Sequence, residues 1–219
     1  MTTVPKNAAA KRRKTLLAMG VGAIAGGAGM MLLLTMFDRA ALPDPDPSRI
    51  ATAGIGLIYA LMGVAVGLGV LAPRAGARIL NVEDADELRE QRAILLANAV
   101  GCIAMGAALM LLGVAAGAGA PLALGQPLVF ALLIAALIVA SVAGVWCWPR
   151  YDELMRSMAG EGAAAGGYLI FFALVLWGGA AATGLAALPG ALDLLSIAFG
   201  FMLIGCFVAV GRRGMLEMR

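Results

Sequence analysis

The chain has 219 residues, of which 62% are apolar and 13% charged, and its mean hydropathy is +0.95. Ordinary soluble domains contain about 45–50% apolar and about 25% charged residues, so this composition excludes a single soluble globular domain. The sequence has no histidine, and its cysteines, Cys102, Cys147 and Cys206, are far apart. It therefore lacks the commonest metal ligand and general base, and it has no C-x-x-C redox motif.

Six long uncharged runs predict membrane-spanning helices, because about 20 apolar residues at the helical rise cross the hydrocarbon core. We predict an all-α, polytopic integral membrane protein whose six helices form a compact Gly/Ala-rich bundle. Residues 1–14 form a basic N-terminal segment, residues 15–211 the transmembrane domain and residues 212–219 a tail. The predicted spans are Thr15–Phe37, Ile50–Ala72, Ala93–Gly117, Pro127–Trp148, Ala163–Ala187 and Leu194–Gly211.

A basic run, KRRK, precedes the first span. A cleavable signal peptide has an apolar region of about 7–15 residues, and the first span is longer, so we expect an uncleaved helix. Positive side chains beside a membrane attract anionic lipid head groups. We therefore expect the lipid bilayer itself to be a partner here, through Lys11, Arg12, Arg13 and Lys14.

Positive charge is concentrated at one membrane face. Six spans place both termini on the same side, and 14 of the 16 Lys and Arg residues then lie on that side, the exceptions being Arg39 and Arg49. By the positive-inside rule this face is cytoplasmic, which predicts a multi-pass protein of the cell inner membrane with both termini in the cytoplasm. Because the charges sort by membrane side, we expect no nucleic acid partner.

The triplet Asp-Glu-Leu occurs twice, at Asp86–Leu88 and Asp152–Leu154, 66 positions apart. Each copy lies between an even-numbered predicted span and the next odd-numbered one. We therefore predict two repeated hairpins, at about residues 50–117 and 127–187. Their orientation would be parallel, unlike the inverted repeats of many secondary transporters.

The two loops that carry these triplets are candidate docking surfaces for a partner. At a helix start, Asp152 is expected to cap free N–H groups and to pair with Arg156, four positions on. A paired-carboxylate metal or acid–base site is the alternative, but adjacent helical residues diverge by about 100° and no further polar group converges on them. We predict no catalytic, cofactor-binding or metal-binding residue. The docking candidates are Asp86, Glu87, Asp152, Glu153 and Arg156.

Three polar residues are candidates for an intramembrane site: Glu161, Asn98 and Tyr168. Glu161 lies at the edge of the fifth predicted span, and one turn deeper it would be an intramembrane acid able to carry a proton. We expect Asp193 to cap the sixth helix. The other polar side chains noted inside the spans are expected to bond their own or a neighbouring helix; they are Tyr59, Ser141, Thr183 and Ser196.

Small residues throughout the spans predict close helix crossings, since they let backbones approach one another. The motif G-x-x-x-G occurs four times, but about four occurrences are expected by chance with 30 glycines, so it identifies no interface by itself. The occurrences begin at Gly22, Gly63, Gly113 and Gly162.

These features predict a non-enzymatic accessory or scaffold subunit. Its helices would pack with another membrane protein or with further copies of the chain, and its acidic cytoplasmic loops would dock partners. A small transporter or channel for an apolar or lipid-like substrate is the alternative, and Glu161 and Asn98 would then be the first residues to test. A membrane enzyme finds no supporting catalytic spacing in the sequence.

Overall fold

A computed structural model describes residues 6–39, 46–72, 89–115 and 125–214, and within the first helix it describes the side chains of residues 19–37. These parts of the chain form six long α-helices and one 3-10 turn, and they contain no β-strand. All six helices are long and apolar enough to cross a membrane, so the predicted all-α polytopic fold is confirmed. The helices are α1 (Lys6–Arg39), α2 (Pro47–Leu71), α3 (Arg92–Ala115), α4 (Gln126–Cys147), α5 (Glu153–Ala182) and α6 (Ala191–Arg212), with the 3-10 turn at Trp148–Arg150.

Alternating spans define two ends of the bundle. The start of α1, the end of α2, the start of α3, the α4–α5 connection and the end of α6 share one end, which we call the basic face. The start of α2 and the start of α6 share the other end, which we call the opposite face. A hydrogen bond of 2.6 Å from Ser48 to Asp193 joins these two helix starts directly, in agreement with this arrangement.

Helix α5 begins ten residues before the predicted span, because Asp152 caps it at Glu153. The Asp152 carboxylate accepts a hydrogen bond of 2.6 Å from the backbone N–H of Met155, which satisfies a free donor of the first turn. The predicted cap is thus confirmed. The charged first turns of α5 are helical although they are too polar to be read as part of an apolar run.

The same helix ends five residues before the predicted boundary. Gly184 adopts a positive φ of 77°, a conformation that other residues rarely adopt. The next N–H, of Leu185, donates to the carbonyl of Ala180 over 2.8 Å, and the N–H of Gly184 donates to that of Ala181. This is the Schellman pattern, which terminates the helix and satisfies its last carbonyls.

Acidic residues also stabilise the starts of α2 and α6. Asp46 accepts a hydrogen bond of 3.1 Å from the N–H of Ser48, with Pro47 in the first helical position. Asp193 was predicted to cap α6, but the N-cap is Gly190 and Asp193 lies in the first turn, where its carboxylate accepts a hydrogen bond of 2.8 Å from the N–H of Gly190. Both helices therefore have well-defined starts at the opposite face.

Two helix pairs carry the closest packing, α2 along α3 and α5 along α6. Further contacts join α3 to α4, α6 to α2 and α1 to α2. The second predicted hairpin, residues 127–187, therefore differs from the first, because α5 packs along α6 rather than along α4. The repeat itself stays a prediction, since its first Asp-Glu-Leu copy lies outside the described residues.

Glycines let the α2 and α3 backbones touch. A Cβ atom added to Gly56 would lie 2.7 Å from the carbonyl oxygen of Gly106, and one added to Gly63 would lie 2.7 Å from that of Ala99. A Cβ atom on Gly113 would lie 2.7 Å from the carbonyl oxygen of Arg49. No larger residue fits at these positions unless the helices move apart, so the expected close crossings occur in this pair.

A second glycine contact joins α5 to α6. A Cβ atom added to Gly205 would lie 2.5 Å from the carbonyl oxygen of Gly162, and one added to Gly166 would lie 3.0 Å from the Cα atom of Met202. By contrast, nothing lies within 4 Å of a Cβ atom added to Gly22. Of the four G-x-x-x-G occurrences, the one at Gly162 therefore has both its glycines in a close helix contact.

Buried apolar side chains form two small clusters. One, with Leu33 and Phe37, fixes the second half of α1 against α2 and α3, and the other, centred on Met105 and Leu109, joins α3 to α4. Most other large apolar side chains are exposed; for example, Val145 is 76% exposed. Such surfaces are stable only in an apolar solvent, so these helices contact the lipid bilayer.

Candidate functional site

Glu161 forms an ion pair at the basic-face end of α5. Its carboxylate accepts a hydrogen bond of 2.5 Å from Arg213, which directly follows α6, and Ser157 bonds both residues. Helix α6 has 22 residues, or about 33 Å of helix, close to the thickness of the hydrocarbon core. Glu161 is therefore level with the end of a span and has a cationic partner.

The acidic turn before α5 is held by its own backbone. With its carboxylate committed to the cap, Asp152 does not form the predicted ion pair with Arg156. The Arg156 guanidinium instead donates to the carbonyls of Trp148 and Pro149, at 3.3 and 3.2 Å. The expected pairing was wrong because a capping residue lies outside the helix, where the four-residue spacing does not bring side chains together.

The remaining predicted docking residues are only partly described. Glu153 is exposed in the first turn of α5, where its charge complements the positive end of the helix dipole. Asp86 and Glu87 lie outside the described residues, and so do the side chains of the basic run at residues 11–14. Their docking and lipid-binding roles stay predictions.

Asn98 bonds a residue of the α4–α5 connection. The hydroxyl oxygen of Tyr151 lies 3.0 Å from the amide nitrogen of Asn98 and 3.2 Å from its amide oxygen, so the two side chains are within hydrogen-bond distance. Burial raises the pKa of Tyr151, and the Asn98 hydrogen bond opposes this in part. The phenol therefore keeps its proton at neutral pH and can donate to Asn98. This pair fixes the start of α3 to the end of α4.

The three candidates for an intramembrane site have separate surroundings. Glu161 pairs with Arg213, Asn98 bonds Tyr151, and Tyr168 is 68% exposed on the surface of α5. Among the described residues these three side chains therefore share no pocket.

A cluster of hydroxyl and carboxyl groups joins α2 to α6 at the opposite face. Thr52 is only 1% exposed, and its hydroxyl oxygen lies 2.9 Å from that of Ser196. The same hydroxyl is within hydrogen-bond distance of two carbonyl oxygens, that of Ser48 at 2.8 Å and that of Leu192 at 3.3 Å. The Ser48 hydroxyl bonds the Asp193 carboxylate. We call Ser48, Thr52, Asp193 and Ser196 the hydroxyl cluster.

The hydroxyl cluster extends one step towards the membrane centre through Tyr59. Its hydroxyl donates to the carbonyl of Phe199 over 3.1 Å, and the two rings meet edge to face. Inside a membrane, side-chain hydrogen bonds between helices contribute about 0.6 kcal/mol each on average and up to about 1.7 kcal/mol. The cluster therefore acts as the polar link between the two closely packed helix pairs.

Thr52 and Ser48 were not among the residues predicted from sequence. A signal was present, because Ser48 and Thr52 stand four apart at the start of one span, and Asp193 and Ser196 three apart at the start of another. Both spans begin on the same membrane side, and a four- or three-residue spacing places each pair on one helix face. Span parity and spacing together predict that such pairs can meet.

No group of three or more histidine, cysteine or acidic side chains gathers anywhere in the described ranges, so they contain no evident metal site. The three cysteines are free thiols.

The six apolar helices place the chain in a class, the multi-pass helical membrane proteins. Searches against protein-family models, curated proteins and solved structures gave no match.

Proposed function

We propose that this protein is a non-enzymatic accessory or scaffold subunit of a membrane assembly. The observation that carries the proposal is that polar groups of the chain bond one another or its backbone. Three of the polar groups that chemistry or transport would need, Asp152, Glu161 and Thr52, are engaged in a cap, an ion pair and a bond between helices. Many large apolar side chains remain exposed along the helices, and these are suited to packing against another membrane helix.

The first helix supplies the most suitable free surface. Leu33 and Phe37 are buried at its opposite-face end, whereas residues 19–25 are all exposed. This exposed stretch carries Gly22, and the partly exposed Gly26 follows it; a Cβ atom at either position would have nothing within 4 Å. Glycines four apart allow a second helix to approach closely, which is how α5 meets α6 in this same chain.

The charge distribution supports an inner-membrane protein with its basic face towards the cytoplasm. Partner docking at that face would then use exposed acidic groups such as Glu153, next to the rigid turn that Asp152 and Arg156 hold. A rigid, charged turn loses little conformational freedom on binding, which favours recognition.

Replacing both glycines of α1 tests the proposal. The double variant Gly22→Leu/Gly26→Leu of the full chain is extracted in mild detergent, and co-purifying membrane proteins and differently tagged copies of the chain are quantified. We expect about tenfold less co-purification, because a lost contact of about 1.4 kcal/mol weakens binding tenfold.

Gly144→Leu is the matched control, since a Cβ atom at this α4 position also has nothing within 4 Å. It should leave co-purification unchanged. A wild-type protein that is a stable monomer without any partner would contradict the scaffold role. Partners retained equally by both variants would contradict the assignment of the contact to α1.

A further inference from the structure

An apolar groove of about 530 Å³ runs between α3 and α4 near the basic face. Its α3 wall is formed by residues spaced three or four apart on one helix face, and its α4 wall ends at a tryptophan. Lining residues include Ala93, Ala97, Val100, Val139, Val142 and Trp146. The groove is open along one side and contains no charged lining residue, so it offers an apolar slot to the surrounding membrane.

The two walls are held at a fixed separation. At the deep end the helices touch, because a Cβ atom on Gly101 would lie 3.3 Å from the Cα atom of Ala140. At the shallow end the buried Cys147 thiol approaches the carbonyl of Ile94 at 3.9 Å, and between the two ends Asn98 of α3 bonds Tyr151, which follows α4. The groove is therefore preformed, and a ligand pays little to order it.

The groove is long enough to hold the outer part of one lipid chain. From Ala93 to Val100 the α3 wall rises about 10 Å, since each helical residue adds about 1.5 Å. Half of the hydrocarbon core is about 15 Å thick. The groove therefore covers the outer two thirds of one leaflet, which is where the part of an acyl chain nearest its head group lies.

Cationic groups stand at the shallow end of the groove. The Arg150 guanidinium lies 3.8 Å from the centre of the Trp146 ring, stacked on the last lining side chain, and one of its N–H groups bonds the Trp146 carbonyl. This orients the remaining donors at head-group depth. Arg92, exposed in the first position of α3 directly before the lining residue Ala93, adds a second positive charge at this level.

We propose that this groove is a binding site for a phospholipid with an anionic head group. One acyl chain lies between Ala97 and Val142, and the head-group phosphate accepts hydrogen bonds from Arg150 with support from Arg92. A guanidinium suits phosphate because its planar donors bind two oxygens at once. This inference is independent of the scaffold role, because it concerns another surface of the bundle.

Lipid retention by the full-length protein tests the site. The protein is reconstituted with equal amounts of phosphatidylglycerol and phosphatidylcholine of identical chains, and bound lipid is counted by native mass spectrometry after mild detergent extraction. The wild-type protein should retain phosphatidylglycerol preferentially. Arg150→Gln should lower this preference about fivefold, the effect expected for one basic residue at the membrane surface.

Two comparisons make the result decisive. Arg212→Gln removes a charge at the same face but away from the groove, and it should leave the preference for phosphatidylglycerol intact. An equal loss in Arg150→Gln and Arg212→Gln would overturn the site in favour of general surface charge.

Ala97→Phe fills the groove and should abolish retention of the bound lipid, whereas Ala164→Leu, at an exposed position of α5, should not. Unchanged retention in Ala97→Phe would also overturn the proposal.

Discussion

The two closely packed helix pairs, α2–α3 and α5–α6, both have glycines at their contact but differ in the spacing of these glycines. In α2–α3 the glycines stand seven residues apart on both helices, Gly56 and Gly63 on one and Gly106 and Gly113 on the other. In α5–α6 they stand four apart on α5, and a single glycine, Gly205, faces them. Both pairs bring backbone against backbone, but over different lengths.

Spacing explains the difference. A helix face drifts only about 20° over seven residues, so glycines seven apart keep two helices in contact for about two turns. Glycines four apart favour a steeper crossing around one point. The α5–α6 pair also has polar bonds, the Glu161–Arg213 ion pair beside the crossing and a 2.8 Å bond from Trp177 of α5 to the carbonyl of Ala187 in the α5–α6 connection.

The largest expected effect comes from breaking the extended contact. In Gly106→Ala the new methyl group would lie 2.5 Å from the backbone nitrogen of Ala60, and neither backbone can move without separating the pair along its length. We expect about 3 kcal/mol of destabilisation, measured by denaturant unfolding in detergent micelles. Gly144→Ala, where the added methyl meets nothing, should change stability by less than about 0.5 kcal/mol; similar losses in both variants would refute the backbone contact.

An intermediate effect is expected from Gly205→Ala at the single crossing. The methyl group would meet the Gly162 carbonyl and the Gly166 backbone, but α5 can pivot about this point and relieve part of the clash. We expect about 2 kcal/mol of destabilisation. Hydrogen exchange should show faster opening of α5 and α6 with α2 and α3 unchanged, and uniform acceleration in all four helices would show that the pairs are one cooperative unit.

The smallest effect should come from the link between the pairs. Thr52→Val keeps the side-chain shape and removes the hydroxyl that meets Ser196, which should cost about 1 kcal/mol in thermal or denaturant unfolding. Thr35→Val is the control, because its hydroxyl bonds only its own helix, at the carbonyl of Leu32. If Thr52→Val proves as neutral as Thr35→Val, the hydroxyl cluster does not hold the pairs together.

The number and type of the helices follow from the sequence, because long uncharged runs have only one stable form in a bilayer. Helix ends were less predictable. An apolar run does not reveal that α5 continues through charged residues to Asp152, since a helix that emerges from the membrane tolerates charge. Its other end was readable in principle from Gly184, a residue type suited to the left-handed conformation that ends helices.

The candidate site was harder to predict than the fold. Glycine motifs at chance frequency do not distinguish Gly162, which contacts α6, from Gly22, which contacts nothing. That distinction depends on which helices become neighbours, and helix pairing is set by contacts between distant parts of the chain. Thr52 was missed for the same reason, because its partner Ser196 is 144 positions away.

That separation bears on how the protein is assembled during synthesis. Helix α2 enters the membrane long before α6 is made, so Thr52 must spend this interval without Ser196. Its hydroxyl has an acceptor in its own helix, the Ser48 carbonyl at 2.8 Å, so the hydroxyl is hydrogen-bonded before Ser196 is present. The hydroxyl cluster is then completed by the last span, so a chain truncated before α6 would insert and pack α2 with α3 yet lack the contact that joins the two halves.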